Sequence, residues 1–308
     1  MSLSDDIIKK IQEEINRRGG MVHSTDENNQ IVREVTDMHN TSLLPGFEGL
    51  SPSQMHYILN DPFSEECVVR FNKNMNPAYT SQLPMVQIGI IILNNIDPVK
   101  GLNLTMTGKL SRKIIREIYN LGFFGQNQDI ILTSKVLNEA DYLPAGMGHI
   151  LLKLAGLVRI RKNRMYLTNS GRSAQQNSNE LFTKLFQSFV QKFNKGYFDR
   201  YENEEIGNTV FAFIIYLLAR YGDVLRDCDF YARKYFKAFP MLASLSSSQY
   251  INSEYNPNHS CFKIRVITRG LDLFGLVDLK VTKLDFYRFK YSVKKSPAFD
   301  SIFSITIR

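Results

Sequence analysis

Leu151-Leu152-Lys153-Leu154-Ala155-Gly156-Leu157-Val158-Arg159-Ile160-Arg161-Lys162-Asn163-Arg164-Met165-Tyr166-Leu167-Thr168 carries three signals in one run. Its first residues close an apolar helix expected over 144–155. Gly156, with no Cβ, can adopt the left-handed conformation that ends a helix. Residues 157–161 and 164–168 are β-forming and flank the tight pair Lys162-Asn163, which predicts a hairpin. A helix leading through glycine into a hairpin is the second half of a winged helix-turn-helix. A short helix expected over 133–140 supplies the first half.

The same order returns near the end of the chain. Arg269-Gly270-Leu271-Asp272-Leu273-Phe274-Gly275-Leu276-Val277-Asp278-Leu279, and after a longer turn Phe289-Lys290-Tyr291-Ser292, again reads helix, glycine, Leu-Val, hairpin. Here the helix is expected over 260–274 and the strands over 276–281 and 287–293. A shorter echo pairs Leu104-Thr105-Met106-Thr107-Gly108-Lys109 with Leu167-Thr168-Asn169-Ser170-Gly171-Arg172. Each is read as a strand-to-helix turn, with threonine as cap and glycine for the chain reversal, rather than as an anion-binding loop.

Outside these units the pattern is mostly helical. An amphipathic helix is expected over 5–18, then a long polar loop or arm over 20–49. Ser51-Pro52 starts a short helix that stops before Asp61-Pro62. Residues 64–82 look irregular. Residues 83–95 read as a buried helix, with strand as the alternative. A short strand follows at 102–106 and a helix at 109–121. Residues 179–193 form an amphipathic helix, 206–221 a helix apolar nearly all round and therefore central, and 223–239 another helix. The Ser/Asn-rich stretch 240–257 is a connection, and a last short element begins at 297. The expected fold is mainly α with short β-hairpins (α+β): tandem winged-helix-like units around a helical core. The expected domains are an acidic N-terminal arm (1–82), a helical domain holding the first unit (83–239) and the second unit (240–308).

At 308 residues and a net charge of +8, the chain looks mildly basic, but the charge is divided. Residues 1–66 carry −7 and residues 67–308 carry +15. Residues 142–179 hold Lys153, Arg159, Arg161, Lys162, Arg164 and Arg172 with no acidic residue. In the helix over 109–121, Lys109, Arg112, Lys113 and Arg116 share one face, opposite Leu110, Ile114, Ile118 and Leu121. The second unit offers Lys263, Arg265 and Arg269, and with Thr268 is the better equipped of the two helices. These thirteen cations are the candidate contacts to DNA or another polyanion. The acidic arm is expected to dock on this surface and screen it.

The residues of familiar catalytic and metal motifs are missing. Asn103 and Leu110 break a P-loop reading of Gly108-Lys109. Gly146-x-Gly148 lacks the third glycine of a dinucleotide fingerprint. The five histidines and three cysteines form no zinc-ligand pair. Cys67, beside Glu65-Glu66, is a poor nucleophile. No metal or cofactor is expected, and an enzyme only if His56 or His149 meets carboxylates in a pocket. Three distant cysteines, no apolar run long enough to cross a bilayer and no signal peptide suggest a cytoplasmic protein.

Over about 101–223 the chain resembles the helical, winged-helix-like C-terminal region of a family of uncharacterised bacterial proteins. The family takes its name from an open reading frame of a root-inducing plasmid. The likeness rests on Gly101-Leu102-Asn103-Leu104-Thr105 through Gly108-Lys109-Leu110, on Ala155-Gly156-Leu157-Val158-Arg159, and on Leu167-Thr168 with Gly171-Arg172. It implies a winged-helix-like fold for this stretch and no catalytic residues. The expected function is non-enzymatic, weak nucleic-acid binding through phosphate contacts. The alternative is a protein–protein interaction or structural module that uses the same fold without nucleic acid.

Overall fold

The computed structural model describes residues 3–22, 24–123, 137–244, 256–285 and 288–306. The chain is mainly helical, with small antiparallel sheets. Helix α1 (Leu3–Arg17) packs on α2 (Thr25–Thr41), which occupies the stretch expected to be loop. Ser24 caps α2 by accepting from the Glu27 amide at 3.1 Å. Only Ile31, Val35 and His39 of α2 are buried, a stripe one residue wide in an otherwise polar sequence. Such a stripe is too narrow to register as periodicity. Helix α3 (Pro52–Asn60) starts where expected, with a reciprocal capping box between Ser51 and Gln54.

The stretch 64–82 contains β1 (Val69–Phe71) and α4 (Pro77–Thr80). Strand β1 has its partner at the far end of the chain, in β8 (Phe303–Ile305), which follows α14 (Phe299–Ile302). A strand with so remote a partner has no local signature. Residues 83–95 resolve as helix α5 (Pro84–Asn94).

Among the described residues, two units then follow a similar element order, the second having one extra short helix, α12 (Pro240–Ser244). The first runs α5, β2 (Leu102–Asn103), α6 (Arg112–Tyr119), α7 (Leu143–Leu154) and the hairpin β3 (Val158–Arg161) and β4 (Arg164–Leu167). The second runs α10 (Phe211–Tyr221), β5 (Arg226–Asp227) and α11 (Cys228–Ala238). It continues through α13 (Pro257–Phe262), a π-helical segment Lys263–Asp272, and the hairpin β6 (Val277–Lys283) and β7 (Phe289–Lys295). Both sheets have three strands in the same spatial order, β2-β4-β3 and β5-β7-β6. In each, the strand from before the second helix pairs with the last strand of the hairpin. The glycines between helix and hairpin, Gly156 and Gly275, have φ of 68° and 69°, the left-handed region that a glycine at a helix end can adopt.

The helix expected over 133–140 falls partly on undescribed residues. Residues 133–136 lie outside the described residues, 137 and 138 are irregular, and 139–141 form a turn. In the stretch 240–257, α12 (Pro240–Ser244) opens the segment and 245–255 lie outside the described residues.

Helix α9 (Ser178–Gln191) joins the two units, after α8 (Asn169–Gln176). Its Phe182, Phe186 and Phe189 are fully buried. Their rings lie 6.2, 5.0 and 5.1 Å from that of Phe274, at the end of the second unit's helix. One continuous core therefore runs from Leu50 through both units to Phe303. Each buried aromatic removes 150–250 Å² from water, so this stack is a major fastening of one unit to the other.

Candidate nucleic-acid interface

The first hairpin closes through Lys162 (φ 47°) and Asn163 (φ 59°), both left-handed. Two such residues give the primed turn whose twist matches that of paired strands. The register sets Arg159 opposite Tyr166 and Arg161 opposite Arg164. Val158, Met165 and Leu167 face the core. Alternation along a strand then puts Arg159, Arg161, Arg164 and Tyr166 on the other face, which β2 extends by setting Asn103 against Arg164. Arg164 is held there by donating from Nη1 to the Lys100 carbonyl at 2.8 Å. Sequence reasoning found the three arginines but passed over Tyr166 and Asn103. The alternation that selects the arginines would have found Tyr166, whereas Asn103 needed the third strand.

The turn 104–109 brings a second basic element to the hairpin tip. Asn163 Nδ2 donates to the Thr105 carbonyl at 2.6 Å, and the Leu104 amide donates to the Asn163 carbonyl at 3.0 Å. The Lys109 amide donates to Thr105 Oγ1 at 3.0 Å, closing the turn. The two halves of the sequence echo therefore differ. Thr168 caps α8, accepting from the Gly171 amide at 2.9 Å. Thr105 closes the turn 104–109, which ends two residues before Ser111, the N-cap position of α6.

On α6, Ile114, Ile115 and Ile118 are buried, while Arg112, Lys113 and Arg116 are exposed. Two of the four stripe cations have acidic or polar neighbours. Lys109 Nζ lies 3.4 Å from Glu139 Oε1, and Arg112 Nε donates to Asn138 Oδ1 at 3.1 Å. Glu139 is buried, and Oε2 accepts from the Leu110 amide at 2.6 Å and from His149 Nδ1 at 3.0 Å. Burial alone would raise its pKa. The bonds from His149 and Leu110 outweigh that and hold the carboxyl below its ordinary range. His149 thus meets a carboxylate, but inside the protein, as a bracket between α7 and the start of α6. His56 lines a surface hollow with Asn40, Pro52, Ser53 and Tyr57.

Helix α7 is buried at Pro144, Ala145, Gly146, Met147, Gly148, His149, Leu151 and Leu152, and packs on α5 and α9. Lys153 is the basic residue it exposes, in its last turn. A helix enclosed on this scale has no free face to lay in a groove. Arg172 is exposed on α8, its Nη2 bonded to Asn169 Oδ1 at 3.0 Å.

The second unit departs from expectation. Arg265 is 1% exposed. It donates from Nε and Nη2 to the two carboxylate oxygens of Asp199, at 2.9 and 2.7 Å, and from Nη1 to the carbonyls of Asn203 and Ile206. Arg269 Nη1 stands 3.6 Å from the same carboxylate. Burial, the strongest influence, draws the Arg269 pKa down. In Arg265, bonding to Asp199 overcomes burial and raises it. Lys263 lies with its ammonium 4.6 Å from the Tyr291 ring centre. Arg265 is therefore removed from the candidate surface, Arg269 is tied to an internal acid, and this helix is not the better-equipped one. Basic residue type was legible in the sequence, but the distant partner Asp199 was not.

The acidic N-terminal stretch is anchored on α10 and α11. Helix α3 packs on α10 and the 3-10 turn Pro45–Phe47 on α11. Glu48 Oε2 accepts from Tyr221 Oη at 2.7 Å and Lys234 Nζ at 2.9 Å, while its carbonyl accepts from Tyr216 Oη at 2.8 Å. Cys67, Cys228 and Cys261 are free, buried thiols. Burial raises all three, Cys261 to about 12. For Cys67 burial is thus the main cause of poor nucleophilicity, with a lesser contribution from the charge of Asp61. Among the described residues, no helix is long and apolar enough to cross a membrane.

A family model described as the Y4jL N-terminal domain matches residues 81–180. The match spans the whole first unit and the start of α9. Over that stretch the chain is similar to an uncharacterised bacterial family. No curated protein and no solved structure matches the chain.

Proposed function

We propose that this is a non-enzymatic, cytoplasmic bacterial protein that binds double-stranded nucleic acid weakly, through phosphate contacts made by its first unit. The order helix–strand–helix–helix–hairpin common to both units, α12 aside, with the first strand paired to the last, is the order expected of a winged helix-turn-helix. It supports reading both units as winged helices. The observation that carries the function is the joining of two basic elements. The outer hairpin face with Arg159, Arg161 and Arg164 meets, at the Asn163–Thr105 bond, the turn that leads into the α6 stripe.

Such a surface positions a phosphate backbone but reads little sequence, because the helix that would enter the major groove in a winged helix is α7, which is enclosed. Affinity should therefore fall steeply with salt as counterions are released. The test compares wild type with the Arg161/Lys162/Arg164→Ala variant on a generic duplex at several salt concentrations. Binding at low salt that the triple variant loses supports the reading. No wild-type binding at low salt, or full binding by the variant, overturns it. A protein partner is the rival reading for the second unit, favoured by the internal commitment of Arg265 and Arg269.

A further inference from the structure

Met106 is 99% exposed, at the tip of a turn closed by hydrogen bonds on either side of it. The Thr105 amide donates to the Lys109 carbonyl and the Gly108 amide to the Thr105 carbonyl, each at 2.8 Å. That same carbonyl accepts from Asn163 at 2.6 Å, and Thr105 Oγ1 lies 3.2 Å from Thr107 Oγ1. An unbranched apolar side chain thus stands at the tip of a closed, narrow turn, flanked by Thr105 and Thr107 and followed by Gly108 and Lys109. Its surroundings are cationic: Lys109 in the same turn, Lys162 beside Asn163 at the hairpin tip, and Arg161 and Arg164 just behind it.

Single exposed apolar residues are common on protein surfaces, but this one projects from the meeting point of the two basic elements. Phosphate contacts from those cations would press the turn against a duplex. An apolar wedge inserted between base steps unstacks them and bends the duplex by roughly 20–90°. The wedge recovers the area that Met106 leaves in water, and the flexible thioether adapts to an irregular gap. Minor-groove entry suits the slim turn, whereas α7 is closed to the major groove. We propose that Met106 is an intercalating wedge and that the preferred ligand is double-stranded DNA with an easily unstacked step. This rests on the reading of the first unit as a duplex-binding surface.

The test uses the full chain and a short DNA duplex with 2-aminopurine at pyrimidine–purine steps and dyes at its ends. The chain has no tryptophan to interfere. Wild type at saturation should raise the 2-aminopurine signal and shorten the end-to-end distance. Met106→Ala should still bind with an unchanged salt slope but lose both changes, and Met106→Phe should restore them. Saturable wild-type binding with no unstacking, or the same unstacking by Met106→Ala, overturns the wedge and leaves the phosphate-binding reading standing. No wild-type binding at low salt overturns both. Circular dichroism of each variant separates loss of the wedge from loss of fold.

Discussion

Arg265 and Asp199 form a two-pronged ion pair inside the protein, with N–O distances of 2.9 and 2.7 Å and side-chain exposures of 1% and 6%. The pair ties the second unit's π-helical segment to the loop after α9. It also gathers the carbonyls of Asn203, Ile206 and Tyr201 around one guanidinium. This arrangement turns a residue that reads as a surface cation into an internal clasp.

Asp199→Asn should leave a buried guanidinium without its counter-charge. Breaking such a pair from one side costs about 3–5 kcal/mol. The expected result is a large drop in the urea midpoint, with duplex binding at low temperature unchanged because the first unit is untouched. Chemical denaturation of the two proteins checks it.

Lys195, in the 3-10 turn Lys195–Phe198, is buried against the rings of Phe189 and Phe211, and burial, aided by the charge of Arg265, pushes its pKa down to about 7. The unfolded chain then binds more protons than the folded one between about pH 7 and the ordinary lysine range near 10.5. Stability should therefore rise with pH across that window. Lys195→Met should flatten the rise and stabilise the protein below pH 7. The gain is reduced by the weak bonds Lys195 gives to the Val190 and Phe193 carbonyls. Melting temperatures from pH 6 to 10 test the sign.

Gly171, in the first turn of α8, packs so closely under the hairpin that an added Cβ would stand 2.0 Å from the Leu157 carbonyl oxygen. Gly171→Ala must push α8 off the sheet, at a cost of at least about 1–3 kcal/mol. At Gly108, where φ is 73° and the nearest atom to an added Cβ is 4.0 Å away, the same change meets only backbone strain, about 1–2 kcal/mol. Comparing the two unfolding curves distinguishes contact from conformation.

Replacing Lys109, Arg112, Lys113 and Arg116 by alanine should lower the slope of log K against log salt by about 0.9 for each phosphate contact removed. Lys109 is partly engaged by Glu139 and Arg112 by Asn138. The reduction is therefore expected to come mainly from Lys113 and Arg116, roughly two units. A salt titration of the fourfold variant measures it.

Local chemistry alone determined much of this molecule. Helix caps such as Ser51 with Gln54, the left-handed stops at Gly156 and Gly275, the Lys162-Asn163 turn and the repeated helix–hairpin order depend on neighbours a few residues apart. They were therefore legible in the chain. So was the alternation that sends Arg159, Arg161 and Arg164 to one face. Tertiary structure decided what depends on distant partners: that β1 pairs with β8, that a polar stretch becomes α2 packed on α1 and α3, and that α7 is enclosed by α5 and α9. It also decided that Arg265 faces inward while Arg161 does not. Both are arginines in basic stretches, and of these two only Arg265 has a carboxylate folded against it among the described residues. A charge is placed by the balance between desolvation and pairing, and the pairing partner is supplied by the fold.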